Sequence, residues 1–121
     1  MPYIVVKTNL PNEKVSKDFQ LKLSSKAASL MNKPEQRISV SLECGLRLCR
    51  GGSFDPVLEV HIDAVDVDSR EKTQPVVAGL SALIHDQLNI PLERIVFKIK
   101  NLVQHEVGNG ATGVQAPVLF I

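Results

Sequence analysis

The sequence predicts an α/β (α+β) fold: two βαβ repeats forming one four-stranded mixed sheet with two helices on one face. Three observations point to it. Strand-like runs lie at about residues 3–8, 38–42, 57–65 and 94–99, and helical periodicity fills about residues 14–31 and 70–88 between them. Pro34, Arg37 and Ile38 are matched by Pro91, Arg94 and Ile95, each 57 positions later. A βαβ crossover makes its two strands parallel and lays its helix on one face of them. The halves fall at about residues 2–50 and 57–105 of a single domain spanning residues 1–121, with a tail strand at the C-terminus.

Tyr3 to Thr8 is rich in β-branched residues and stops at Asn9-Leu10-Pro11-Asn12, a strand running into a turn. From Lys14 to Met31, Val15, Phe19, Leu23, Ala27 and Leu30 recur at steps of three or four, with Lys17, Gln20, Lys22 and Ser24 off that stripe. This is an amphipathic helix, and Pro34 stops it. Ile38 to Leu42 alternates at period two, as a half-buried strand does. The second half repeats the scheme with a strand from about Val57 to Val65, a helix from about Arg70 to Leu88, and a strand from about Arg94 to Ile99. The second helix turns Val76, Val77, Leu80, Leu83, Ile84 and Leu88 inward, and Asp68 and Glu71 have capping-box spacing at its start. The sheet face away from the helices is expected to be apolar through Leu42, Leu58 and Ile62 or their neighbours, which would make it an interface covered by self-association. After a Gly-rich stretch, Val118 to Ile121 reads as a short strand able to pair with a neighbouring subunit's edge.

At 121 residues and 13.3 kDa the chain has room for one core. Its 44% hydrophobic and 22% charged residues are those of a soluble globular protein, which excludes disorder, collagen-like repeats and coiled coil. Fourteen basic against thirteen acidic side chains leave a charge of +1, and aromatics are only 4%. Such a chain has neither the field nor the stacking surface expected of a nucleic-acid binder. No stretch approaches the ~20 apolar residues of a membrane span, so no membrane insertion is expected. Lys7 and Asn9 interrupt the first apolar run before signal-peptide length, so no ordinary secretion signal is expected either. The spacing of Cys44 and Cys49 fits neither a CxxC pair nor a zinc knuckle, and both are expected to be buried, reduced thiols. His61, His85 and His105 have no i, i+4 partner, Asp63, Asp66 and Asp68 are explained by a strand and a helix cap, and Gly51-Gly52 lacks the lysine of a phosphate loop. No metal and no cofactor is expected.

Met1-Pro2 leading straight into a strand, Thr8-Asn9-Leu10-Pro11 at its end, Lys33-Pro34 after the first helix, Gly51-Gly52-Ser53 with Asp55-Pro56 before the third strand, and the repeated layout together resemble the macrophage migration inhibitory factor family. The likeness runs along nearly the whole chain. Asn9-Leu10-Pro11, Lys33-Pro34 with Arg37, Arg94-Ile95 and the Leu119-Phe120-Ile121 ending look more like the D-dopachrome tautomerase branch. The resemblance implies a homotrimer, an N-terminal proline as catalytic base, tautomerase activity without a cofactor, and cytokine-like signalling. Its partners would be a small keto–enol substrate and a cell-surface receptor. Its location would be cytoplasmic, and also secreted by a route that uses no signal peptide.

The residues supply a chemistry for this activity. With Met1 removed, Pro2 becomes a secondary amine at a strand end. An α-amino group titrates near ~7.7–8.0, so about a tenth would be free base at neutral pH. Burial and a nearby Lys33 ammonium would both lower that value and leave a base suited to moving a proton alpha to a carbonyl. Lys33 and Arg37, four apart across a turn, are candidates to hold a substrate carboxylate. By resemblance, Ala64 and Val65 lie beside the proline, Val65 standing where the family has isoleucine. Val96 and Lys98 take the places of a tyrosine and an asparagine that reach in from an adjacent subunit. Val107 keeps its match, whereas Asn109 to Gln115 has no counterpart that aligns. The candidate site is therefore Pro2 as base, with Lys33, Arg37, Ala64, Val65, Lys98 and Val107 binding substrate. The family's CxxC falls on Val57 to Val60, so thiol–disulfide activity is expected to be absent. The alternative to an enzyme is an extracellular receptor-binding trimer whose proline pocket is vestigial.

Overall fold

The computed structural model describes residues 2–111 and 113–114. Strand β1 (Tyr3–Thr8) leads through helix α1 (Lys17–Met31) to β2 (Ser39–Glu43), and β3 (Leu58–Val65) leads through α2 (Arg70–Leu88) to β4 (Ile95–Leu102). The sheet order is β2-β1-β3-β4. Within each unit the strands are parallel, β1 with β2 and β3 with β4, and the units meet where β1 runs antiparallel to β3. This is the expected pair of βαβ repeats. A two-stranded ladder, β5 (Gly108–Asn109) with β6 (Gly113–Val114), follows. The tail strand expected at Val118 to Ile121 lies outside the described residues.

The repeat extends to the ends of the helices. Both end on an asparagine in the left-handed region, Asn32 at φ 53° and Asn89 at φ 58°, followed by a proline and a single 3-10 turn, Glu35–Arg37 or Leu92–Arg94. Asparagine tolerates positive φ better than most residues, so it reverses the chain there at small cost. The starts depart from expectation. Residues 12–14 form a 3-10 turn, and α1 begins only after Ser16, whose hydroxyl accepts the Phe19 amide at 3.1 Å. Ser69, in place of an Asp68–Glu71 box, caps α2 by accepting the Lys72 amide at 3.3 Å.

One core lies between the helices and one sheet face. Phe19, Leu23 and Ala27 of α1 and Val76, Leu80 and Ile84 of α2 are buried against Ile4 and Val6 of β1 and Leu58, Val60, Ile62 and Ala64 of β3. Gly79 lets the helices approach closely, since a Cβ there would stand 2.5 Å from Leu30 Cδ1. Thr8, the buried polar residue of β1, donates its hydroxyl to the Val57 carbonyl at 2.7 Å.

The expectation of an apolar open face is overturned. Leu58 and Ile62 are fully buried under the helices, and Leu42 packs at the margin of the same core. A strand's side chains alternate, so the opposite face carries the odd-numbered residues of β1, β2 and β3 with the even-numbered ones of β4. Its cross-strand rows are Ser39–Tyr3–Asp63–Lys100, Ser41–Val5–His61–Lys98 and Glu43–Lys7–Glu59–Val96. That face is polar and charged. The thiols also differ from expectation: both are free, but Cys49 is exposed and Cys44 half-buried. Burial pushes the Cys44 thiol above its ordinary value, which disfavours the reactive thiolate.

Candidate active site

Pro2 is buried at the N-terminal end of β1, where its carbonyl accepts the Ser39 amide of β2 at 3.1 Å. Tyr3 lies opposite Asp63, so continuation of that antiparallel register sets Pro2 beside Ala64. The end of α1 supplies the cation. After Asn32 reverses the chain, the Lys33 amide returns to the Ala28 carbonyl at 3.0 Å, and the Lys33 amine donates to the Val65 carbonyl at 3.4 Å. Pro2, Lys33, Ala64 and Val65 therefore gather at one end of the sheet.

Beyond Val65 the chain turns through Asp66, a non-glycine residue at φ 68°. Its carboxylate takes a hydrogen bond from the Lys72 amine, which also donates to Asp68 at 3.0 Å. Asp66, Lys72 and Lys33, with Leu30, Met31 and Pro75, line a cleft of about 220 Å³ between the helix ends. Burial pulls the Lys33 ammonium below the usual lysine range, the Asp66 carboxylate opposes that pull, and the Lys72 ammonium adds to it. Neither Asp66 nor Lys72 was among the residues expected at the site. The sequence carried one sign of them, the i, i+4 spacing of Asp68 and Lys72 at a helix start.

Arg37 ends the 3-10 turn of residues 35–37, half-buried, two positions before the Ser39 amide that holds Pro2. Its repeat counterpart Arg94, for which no role was expected, is a structural clamp. Its guanidinium donates to the carbonyls of Pro56 at 3.1 Å, Arg50 at 3.0 Å, Ser53 at 3.3 Å and Asp55 at 2.7 Å. Lys98 stands on the open sheet face opposite His61, and its own chain does not carry it to Pro2. Val107 is buried just after the 3-10 turn of residues 104–106. Among the described residues no three His, Cys, Asp or Glu side chains gather as a metal-binding group.

The site can bind an anion and, once Pro2 has a free nitrogen, exchange a proton. Comparison with known proteins gives a family and several relatives. The family described as Macrophage migration inhibitory factor (MIF) matches residues 1–115. The MIF-like protein mif-2 of Caenorhabditis elegans is 36% identical over 117 residues, covering 96% of this chain and 98% of the relative. The D-dopachrome decarboxylase of Xenopus tropicalis is 27% identical over 113 residues, covering 93% and 96%. Among solved structures, the macrophage migration inhibitory factor homologue of Prochlorococcus marinus superposes with a TM-score of 0.83 at 26% identity, covering 93% of this chain and 98% of the other. The macrophage migration inhibitory factor of Trichinella spiralis gives 0.85 at 22% identity, covering 94% and 99%, a likeness of fold.

Proposed function

The chain belongs to the macrophage migration inhibitory factor family, near its D-dopachrome branch, and from that premise we propose that it is a cofactor-independent keto–enol tautomerase whose base is the Pro2 nitrogen. Substrates of dopachrome or phenylpyruvate type, small and bearing a carboxylate or ester, suit the site. While Met1 is attached, that nitrogen is an amide whose lone pair is delocalised into the carbonyl. Removal of Met1 makes it a secondary amine, and burial disfavours its ammonium form. The amine takes a proton alpha to the substrate carbonyl, the bonding pair shifts to give the enolate, and the new ammonium returns a proton at the other end of the conjugated system. The Lys33 ammonium, with two N–H groups beyond the one on Val65, supplies the charge for the substrate carboxylate.

One observation carries this reading: a buried Pro2 at the strand end where Lys33 reaches Val65. Arg37, Ala64, Val65 and Val107 complete the pocket in this proposal, and Lys98 enters from the next subunit of a homotrimer. The test is Pro2→Gly in a chain freed of Met1. It keeps a primary amine at the same chain end, so it should keep the fold and part of the rate, losing about 10²-fold as the base is less well positioned. Full activity in a chain that retains Met1, where the nitrogen is an amide, would place the base elsewhere.

A second reading rests on Lys98, which lies on the open face within its own chain. There the trimer acts as a cytokine-like, receptor-binding protein and the pocket is idle. It predicts receptor engagement unaffected by Pro2→Gly.

A further inference from the structure

The hairpin that follows Val107 carries a residue pair that the proline site does not use and the fold does not require. β5 ends on Asn109, and Gly110 and Ala111 open the turn toward β6, all three exposed. Gly110 is not at a positive φ, and a Cβ built on it meets nothing within 4 Å, so neither backbone nor packing calls for glycine. Gly79, closed off by Leu30, and Gly113, at φ 80°, are glycines for those very reasons. What Gly110 changes is the chemistry of its neighbour. An asparagine Cγ can be attacked by the amide nitrogen of the following residue, closing a five-membered ring, and a Cβ on that residue would crowd the approach. The other five asparagines precede Leu10, Glu13, Lys33, Ile90 and Leu102. Asn109 Oδ1 accepts the Ala111 amide at 2.8 Å, which folds the carboxamide back along the backbone across Gly110.

We propose that Asn109-Gly110 is a site of spontaneous deamidation. The Gly110 nitrogen gives up its proton and bonds to Asn109 Cγ, the Cγ–Nδ2 bond breaks, and Nδ2 leaves as ammonia with that proton. Water then opens the resulting succinimide at one carbonyl or the other, its hydroxyl going to the carbonyl carbon and its hydrogen to the ring nitrogen. Opening at Cγ restores the main chain with aspartate at 109, and opening at the Asn109 backbone carbon leaves isoaspartate. Each event puts a carboxylate two positions beyond the buried Val107 and cancels the chain's formal charge of +1. Isoaspartate also adds a methylene to the main chain where Asn109 pairs with Gly113, so the β5–β6 ladder loses its register.

The test ages the full chain at neutral and at mildly alkaline pH and follows it by tryptic peptide mapping with fragment sequencing. Lys100 is the last cleavage site, so one peptide, residues 101–121, carries both Asn101 and Asn109. Asn109 should convert severalfold faster than Asn101, whose Oδ1 accepts the Val67 amide at 2.9 Å, and faster still as pH rises, because the attacking nitrogen must lose its proton. Gly110→Ala, which the open space accommodates, should slow the conversion severalfold without changing the circular dichroism. Asn109→Gln would need a six-membered ring and should all but stop it while keeping the amide. Asn109→Asp supplies the mass and retention standard for the aspartate product. Equal rates at Asn101 and Asn109, an intact Asn109 after ageing, or a Gly110→Ala chain that converts as fast as the wild type would overturn the proposal. The readout is a mass rather than a turnover, so failure of the tautomerase reading would leave it standing.

Discussion

Lys33 is held between opposing influences, and its neighbours make the balance measurable. A lysine grips a carboxylate only while protonated, and burial has already drawn the Lys33 ammonium below the usual range. For a carboxylate substrate, kcat/KM should therefore fall on the alkaline side at a lower pH than an ordinary lysine would give. Asp66→Asn removes the one influence that raises Lys33, so that limb should move to still lower pH. Asparagine also accepts the positive φ at this position, so the backbone should hold. Lys72→Met removes a cation that lowers Lys33 and frees the Asp66 carboxylate, so the limb should move up. pH–rate profiles that shift in the same direction for both variants would contradict this wiring. Lys33→Ala should lower kcat/KM for the acid by about 1.5–3 kcal/mol of charged hydrogen bonding, and cost the methyl ester less. Equal losses for acid and ester would reduce Lys33 to a turn residue.

At the scale of elements, the long link from β2 to β3 is fastened by Asn9 and Arg94, beside the Thr8 hydroxyl on Val57. Asn9 accepts the buried Val57 amide at 3.1 Å through Oδ1 and donates to the carbonyls of Phe54 at 2.9 Å and Asp55 at 3.1 Å. Arg94 holds the same link from the other side. Asn9→Ala should cost about 1–3 kcal/mol in urea unfolding, because Val57 loses its acceptor. Arg94→Lys keeps the charge but loses the planar fork, and should destabilise as well. The strands and helices themselves were legible in the sequence, because periods of two and of three to four survive in the apolar residues. Their ends were less so. Whether Ser69 or Asp68 caps α2 depends on which hydroxyl or carboxylate meets a free amide, and both types occur there. The facing of β3 was open to a simpler reading: Leu58, Val60, Ile62 and Ala64 alternate with Glu59, His61 and Asp63, and one core can claim only the first set. At the site, Pro2 and Lys33 were visible through motif and turn chemistry. Asp66 and Lys72 were not, because their pairing depends on a left-handed turn that only three dimensions display.

The whole molecule raises the question of assembly on altered grounds. With a charged open face, hydrophobic cover no longer argues for self-association. The unpaired edges of β2 and β4, which end the sheet within one chain, still do. Light scattering should give about three times the 13.3 kDa of one chain, and a persistent monomer would remove the shared pocket that Lys98 is proposed to enter. The central claim concerns the other end of the chain, where a single peptide bond separates an amide from a base. The direct measurement is tautomerisation of phenylpyruvate by two preparations of this protein at equal concentration, one whose intact mass retains Met1 and one that has lost it. The processed chain should be active and the retained one inert, with the same circular dichroism for both. Equal turnover by the two preparations would contradict the account, since a nitrogen locked in an amide cannot be the base.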